Sequence, residues 1–317
     1  MGPKAAVTDY SDAKDFLDKI GQQVYKEKVQ SDAETYKEAL TGQLSLASIW
    51  GESAAFSEPC DLVKEYYTKR LNGKRYPCEK RSPVRFSDEY GGQCTFNRIK
   101  DNKSDDNACG ACAPYRRLHL CDYNLEKMDT NNNDGNAKHN LLLDVCMAAK
   151  YEAESLQGYY GQHQQTNKDS ASQLCTVLAR SFADIGDIVR GRDLYLGYDQ
   201  KEKKQREQLD KKLKDIFKKI HEDMTNNGVK ERYNGDEANN FFQLREDWWN
   251  ANRQQVWKAL TCDEDKKLSN ASYFRPTCNG GKSSTPNQCR CDGANVVPTY
   301  FDYVPQYLRW FEEWAED

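Results

Sequence analysis

Apolar side chains recur at helical spacing along most of this chain, and no two stretches alternate as paired strands would. Residues 9–29 place Phe16, Leu17, Ile20 and Val24 on one stripe, the three-to-four-residue period of an amphipathic helix. A second short helix is predicted over 32–47, with Tyr36, Leu40 and Leu44. From Ser57 to Asn72 a third carries Leu62, Val63, Tyr66, Tyr67 and Leu71 on one side. Its first turn holds Pro59 and its stop is Asn72-Gly73, the positions where proline and glycine are best tolerated. Residues 73–138 read as loop, with two polar tracts, Asp101–Asn107 and Asp129–Asn136, too poor in apolar surface to pack.

Beyond 138 the helical period returns. Helices are predicted over 139–156 (Leu141, Leu142, Val145), 170–190 (Leu174, Val177, Leu178, Ser181, Ile185, Ile188) and 200–224 (Leu209, Leu213, Ile216, Phe217, Ile220). Another covers 237–260, with Phe241, Phe242, Trp248, Trp249, Val256 and Trp257. A loop rich in Cys, Gly and Pro (262–298) leads to a last helix, 303–317, with Leu308, Trp310, Phe311 and Trp314. The predicted class is mostly α.

Composition changes this picture in one respect. Leu, Ile, Val and Phe make up only about 17 % of the chain, below the level at which disorder is expected of a highly charged sequence. Net charge is only −4 and aromatics reach 11 %, so the chain is read as folded with a core that needs support. Twelve cysteines supply it: Cys60, Cys78, Cys94, Cys109, Cys112, Cys121, Cys146, Cys175, Cys262, Cys278, Cys289 and Cys291. The even count suits a stapled extracellular domain, whose pairing the sequence leaves open. Against that stands the start, Met1–Tyr10, which has no apolar run like a signal peptide, and nothing downstream has the length of a membrane span.

Catalytic chemistry finds little support. Cys109-x2-Cys112-x6-His119-x-Cys121 offers four zinc ligands, but the second spacing is unusual and no companion cluster exists. Half-cystines of two different bridges beside a surface histidine are the plainer reading. Cys109-Gly-Ala-Cys112 has the form of a redox motif without the strand before it or the helix N-terminus under it. His119, His139, His163 and His221 sit in no triad context, and no G-x-S-x-G or phosphate loop is present. No enzyme, metal or cofactor is expected.

Local charge is more informative. Between Lys201 and Lys219, nine basic residues face four acids. On a helical wheel Lys204, Lys211, Lys214 and Lys218 lie opposite the stripe of Leu209, Leu213, Ile216 and Ile220. A row of ammonium groups about one turn apart, ~5.4 Å, suits a linear polyanion such as a sulfated glycan. A second cluster runs Lys64, Lys69, Arg70, Lys74, Arg75, Lys80, Arg81 and Arg85 against Asp61, Glu65 and Glu79. Its loop-like part is expected to be able to converge with Lys26 and Lys28 of the arm. The competing reading of either cluster is an ordinary solvated surface.

Several stretches resemble one family. Cys112-Ala-Pro-Tyr-Arg-Arg-Leu-His-Leu-Cys121 is similar to the C-x-P-x-R-R-x-x-L-C signature of Duffy-binding-like adhesion domains. The block from Ala179 to Gly197 resembles their alpha class. Arg245-Glu-Asp-Trp-Trp-Asn-Ala-Asn-Arg253 and Asp302-Tyr-Val-Pro-Gln-Tyr-Leu-Arg-Trp-Phe-Glu-Glu-Trp-Ala-Glu316 complete a match over about 56–317. The cysteine-free arm is similar to the N-terminal segment of the malaria parasite's variant erythrocyte membrane proteins.

The resemblance implies a disulfide-rich fold with a helical N-terminal segment (1–55), a loop-rich first subdomain (56–138) and a helical-bundle second subdomain (139–317), stopping before a third. It implies an antigenically variable adhesin on the outer face of the infected red cell, recognised by antibodies and exported without a conventional cleaved signal. The expected ligands are heparan sulfate-like glycans engaged in rosetting or, alternatively, blood-group sugars or receptor proteins of erythrocytes. Neither nucleic acid nor membrane insertion is expected. Asp184, Arg190 and Asp193 are expected to pair within the core, and Trp248 and Trp249 to pack between helices.

Overall fold

The chain enters its first helix, α1 (Ala13–Val24), through Asp12, whose carboxylate accepts the Asp15 amide at 2.9 Å; such an N-cap satisfies an otherwise unpartnered donor. A computed structural model describes residues 11–49, 52–53, 57–61, 75–82, 85, 92–100, 102, 110–130, 135–166, 171–292 and 296–316, some only as backbone. Of the helix predicted over 57–72 only residues 57–61 are described, as bend and turn, and the rest lies outside the described residues. The first two predicted helices are one rod. A π-turn (Tyr25–Val29) carries α1 directly into α2 (Gln30–Leu40), and the expected helical pattern to 47 ends in a short 3-10 turn, Leu44–Leu46. Two-residue strands β1 (Ser48–Ile49) and β2 (Glu52–Ser53) pair antiparallel.

Two single-turn helices, α3 (Tyr115–Leu118) and α4 (Tyr123–Glu126), precede the bundle. Its long members are α5 (Ala137–Thr166), α6 (Ala171–Arg190) and α7 (Gln200–Glu222). After the short α8 (Asn227–Glu231) comes α9 (Phe242–Leu260), and α10 (Gln306–Glu316) closes the chain. The predicted start of α9 at 237 fails for a backbone reason. Asn240 and Phe241 adopt φ of 58° and 57°, which breaks the preceding 3-10 turn, Asp236–Asn239. The Asp236 carboxylate then accepts the Gln243 and Leu244 amides and caps α9.

Helices α5, α6 and α9 pack on one another, α2 lies on α9, and α7 lies on α5. Trp248, Trp249 and Trp257 of α9 are fully enclosed. Phe182 of α6 meets Trp249 and Trp257 at centroid distances of 5.1 and 5.3 Å, and Phe217 of α7 meets Trp248 edge-on. One buried cluster runs from Leu17 to Val304, so the core crosses the expected boundaries at 55 and 138. The arm is part of it. Asp18, fully buried in α1, receives the Arg275 guanidinium, the Thr299 hydroxyl and the Tyr300 amide. Further along, Gly42 donates to Asn252, Gln43 to His139 and Ser48 to Asn140.

Gly21 is where α1 meets that wall. A methyl group there would fall 2.2 Å from the Tyr300 carbonyl oxygen. In an exposed helix Gly→Ala stabilises by up to about 1 kcal/mol. Here the sign should reverse. Gly21→Ala is expected to lower stability by about 1–3 kcal/mol through overpacking, read as a shift of the denaturation midpoint.

The polar interior is the fold's main peculiarity. Arg116 donates to Glu313 through Nε, to Ser181 through Nη1 and to Asp184 through Nη2, at 2.6–2.9 Å. Asp184 also accepts from Gln306, Arg309 and Trp310. Arg117 pairs with Asp193, Arg180 with Glu312, Arg253 with Asp302, and Arg190 with Asp187. The expected core roles of Asp184, Arg190 and Asp193 are all present.

Five disulfides join described residues: Cys60–Cys262, Cys78–Cys121, Cys94–Cys112, Cys175–Cys289 and Cys278–Cys291. Cys146 corrects the expectation that every cysteine is bridged. It is a free thiol inside α5, packed among the helices as a small apolar residue, and burial pushes its pKa up. Cys109 lies outside the described residues.

Candidate functional site

Helix α7 presents the candidate surface. Asp199 caps its start by accepting the Glu202 amide, and Leu209, Leu213, Ile216, Phe217 and Ile220 are buried against the bundle. The opposite side puts Lys204, Lys211 and Lys218 in solvent, with Lys214 half-buried beside them. Not all the local charge is available. Arg206 is buried on Asp122, and the Lys212 ammonium donates to the Glu126 and Met128 carbonyls at 2.9 and 3.1 Å. On the acidic side Asp210 is held by Arg245, and Glu202 by Tyr195 and the Tyr198 amide. The four predicted lysines make no ion pair among the described residues. Glu207 and Asp215 lie among them, so the face is mixed in sign with a positive surplus.

The second predicted cluster is only in part a surface among the described residues. Arg75, Arg81 and Arg85 are interior ion pairs. Arg75 Nη2 is 2.8 Å from Asp144, Arg81 Nη2 is 2.6 Å from Asp122 and 3.3 Å from Glu126, and Arg85 Nη2 is 2.5 Å from Glu152. Burying a guanidinium is costly unless a carboxylate meets it, and here each carboxylate comes from a distant part of the sequence. Arg75 and Arg81 are therefore removed from the glycan-binding set, and Arg85 from the basic cluster. Lys69, Arg70 and Lys74 lie outside the described residues.

Lys80 remains exposed, with its ammonium 4.8 Å from the Tyr123 ring centroid and 3.3 Å from the Tyr123 hydroxyl. Lys127, which sequence reasoning missed, lies over the same ring at 5.3 Å. It links Lys80 to the basic helix. The Lys212 ammonium has its pKa lowered first by burial and then by the nearby charges of Arg75 and Lys127. The signal for Lys127 is spatial: α4 docks on α7, which places this isolated lysine beside the row. Lys26 and Lys28 are exposed on the π-turn of the arm. Lys26 lines a different groove, with Phe274, Pro276 and Gly280.

The zinc alternative loses its ligands. Cys112 and Cys121 are bridged to other cysteines, and His119 Nδ1 accepts the Ser82 amide. Burial, then the charges of Arg85 and Arg81, hold His119 at about 4, so it is neutral at physiological pH.

A helical scaffold stapled by disulfides and threaded with arginine–carboxylate pairs, with lysines left over on its surface, defines a binding module. The chain belongs to the Duffy binding domain family, which matches residues 110–309. Residues 12–48 match the N-terminal segments of PfEMP1. Two solved structures from the Plasmodium falciparum varO strain are 36 % identical and align with 96 % of this chain. The NTS-DBL1(alpha-1) domain of PfEMP1 has a TM-score of 0.72 with 61 % of its length covered. The NTS-DBL1-alpha and CIDR-gamma double domain has a TM-score of 0.78 with 43 % covered. A PfEMP1 DBLbeta domain bound to human ICAM-1 is 27 % identical, with a TM-score of 0.70 over 99 % of this chain and 63 % of that one. The Duffy receptor of Plasmodium vivax (strain Salvador I) is 24 % identical over 218 residues, 65 % of this chain and 15 % of that protein. The chain thus spans less than two thirds of the length of each of these relatives. The family is one of receptor-binding domains and not an enzyme class. Among the described residues no helix is long and apolar enough to cross a membrane.

Proposed function

We propose that this chain is an adhesion module of a longer protein on the outer face of the infected red cell. In this reading it is divided as 1–55, 56–138 and 139–317. Its basic surface, Lys204, Lys211, Lys214 and Lys218 with Lys80 and Lys127, binds heparan sulfate-like glycan on uninfected red cells and so supports rosetting. The observation that carries this reading is the set of α7 lysines that make no ion pair among the described residues, on an otherwise acidic chain of net charge −4. A folded protein with free carboxylates nearby gains little by leaving ammonium groups unpaired, whereas a sulfated chain gains entropy as each contact releases a counterion. Lys26 and Lys28 are proposed as a separate, weaker contact.

Binding to immobilised heparin across a salt series tests this. The triple variant Lys211→Glu, Lys214→Glu, Lys218→Glu is expected to lose about one unit of log–log slope per contact removed. An unchanged slope would remove α7 from the site. The second reading, a receptor protein or a neutral blood-group sugar, draws on the ICAM-1-bound DBLbeta relative. It expects binding nearly indifferent to salt.

A further inference from the structure

A second site lies beside the basic face but does not use its lysines. Ile99 and Tyr195 form an isolated antiparallel bridge, flanked by hydrogen bonds from the Lys100 amide to Leu194 and from the Leu196 amide to Arg98. Where this ribbon crosses the end of α6 and the flank of α7, it encloses a half-open cavity of about 150 Å³. The walls are apolar: Ile188, Leu196, Leu209 and Leu213. An apolar cavity of about this volume accommodates a six-membered ring.

Three cationic groups line it. Lys100 is exposed and Lys203 half-buried, and neither makes an ion pair among the described residues. Arg206 is 8 % exposed, and its Nε finds no acceptor although Nη1 and Nη2 are spent on Asp122. A buried donor left unmatched is unfavourable, and an oxygen entering the cavity would satisfy it. The acids do not cancel this arrangement. Asp193 is occupied by Arg117 and Asp210 by Arg245, which leaves Glu207 as the single uncommitted carboxylate at the mouth.

We infer that this cavity is a binding site for a small amphipathic anion: an apolar body of about six heavy atoms carrying one carboxylate or sulfate. The body fills the space between Leu196, Leu209 and Leu213, and the anionic oxygens face Lys100, Lys203 and the Arg206 guanidinium. The site goes beyond the glycan reading, since it needs shape and an apolar wall, and a linear polyanion supplies neither.

Benzoate is the probe, with benzyl alcohol as its uncharged counterpart, titrated calorimetrically into the whole chain. Saturable benzoate binding is expected, at least about fivefold tighter than benzyl alcohol. Lys100→Met and Lys203→Met should each weaken it about threefold to fivefold. Leu196→Trp, which fills the cavity from its rim, should abolish it while leaving heparin binding intact. Absence of saturable benzoate binding up to about 10 mM would overturn the inference. So would equal affinity for benzyl alcohol, or indifference to both lysine substitutions, which are exposed or half-exposed and test the site even if Leu196→Trp does not fold.

Discussion

Arg116→Met is expected to cost about 3–5 kcal/mol of stability. The methionine fills much the same space, but Asp184 and Glu313 lose the guanidinium that stands between them. Two carboxylates in the interior are then left with less compensation than their desolvation requires. The deficit should depend on pH with a defined sign. Burial works to raise the Asp184 carboxyl, yet Arg116 and Arg309 hold it at about 2, below its ordinary 3.8. A lowered folded-state pKa contributes stability that is complete above the unfolded value and is lost as pH falls through the folded one. With Arg116 gone the carboxyl rises, and the variant can relieve the strain by taking up a proton. The gap between the two proteins should therefore be widest near neutrality and narrow below about pH 4. Urea unfolding at pH 7 and pH 3.5 measures both. A gap that does not narrow with acid would mean that lost packing, and not the stranded carboxylates, carries the cost.

Cutting the longest of the described disulfides is the second large perturbation. Cys60–Cys262 closes a separation of 202 residues, whereas Cys278–Cys291 closes 13. If a bridge acts chiefly on the unfolded chain, the cost of its removal grows with the logarithm of loop length. The double replacement Cys60→Ala, Cys262→Ala should then cost about 5 kcal/mol, against about 3 for Cys278→Ala, Cys291→Ala. Denaturation midpoints under non-oxidising, non-reducing conditions compare the two. Equal costs would show that the denatured chain already holds residues 60 and 262 near one another.

These expectations rest on features that were unequally legible in the sequence. The helices of the bundle were legible where one side is apolar. The stripe Leu174, Val177, Leu178, Ile185 and Ile188 gives α6 to within a residue. The tail of α5 was not, because Gly158, Gly161 and a run of Gln and His break the apolar stripe, yet the helix runs ten residues past the expected end at 156, to Thr166. The join between α1 and α2 was not legible either: the helix predicted to 29 covers the π-turn, but the break expected before 32 does not occur, and polar Gln30 and Ser31 continue the helix into α2.

The candidate site was half legible. A lysine row on one helix is a local property, and α7 keeps it. Whether an arginine is exposed is not local. Arg75, Arg81 and Arg85 look like Lys80 in the sequence, and only Asp144, Asp122 and Glu152, between 41 and 69 residues away, pull them inside. The same rule hides Lys127, which gains its place from what α4 packs against.

Among the described residues most of the charges fall into two populations. Arginines and their carboxylates hold the interior, while the uncommitted surface charge is carried largely by lysines such as Lys80, Lys204, Lys211 and Lys218. A protein built this way can change its surface almost independently of what folds it. An exposed lysine can be lost, moved or reversed in sign for little more than a few tenths of a kcal/mol, whereas each guanidinium inside is tied to partners that would all have to change at once. Latitude outside and constraint within follow from where the two kinds of charge sit.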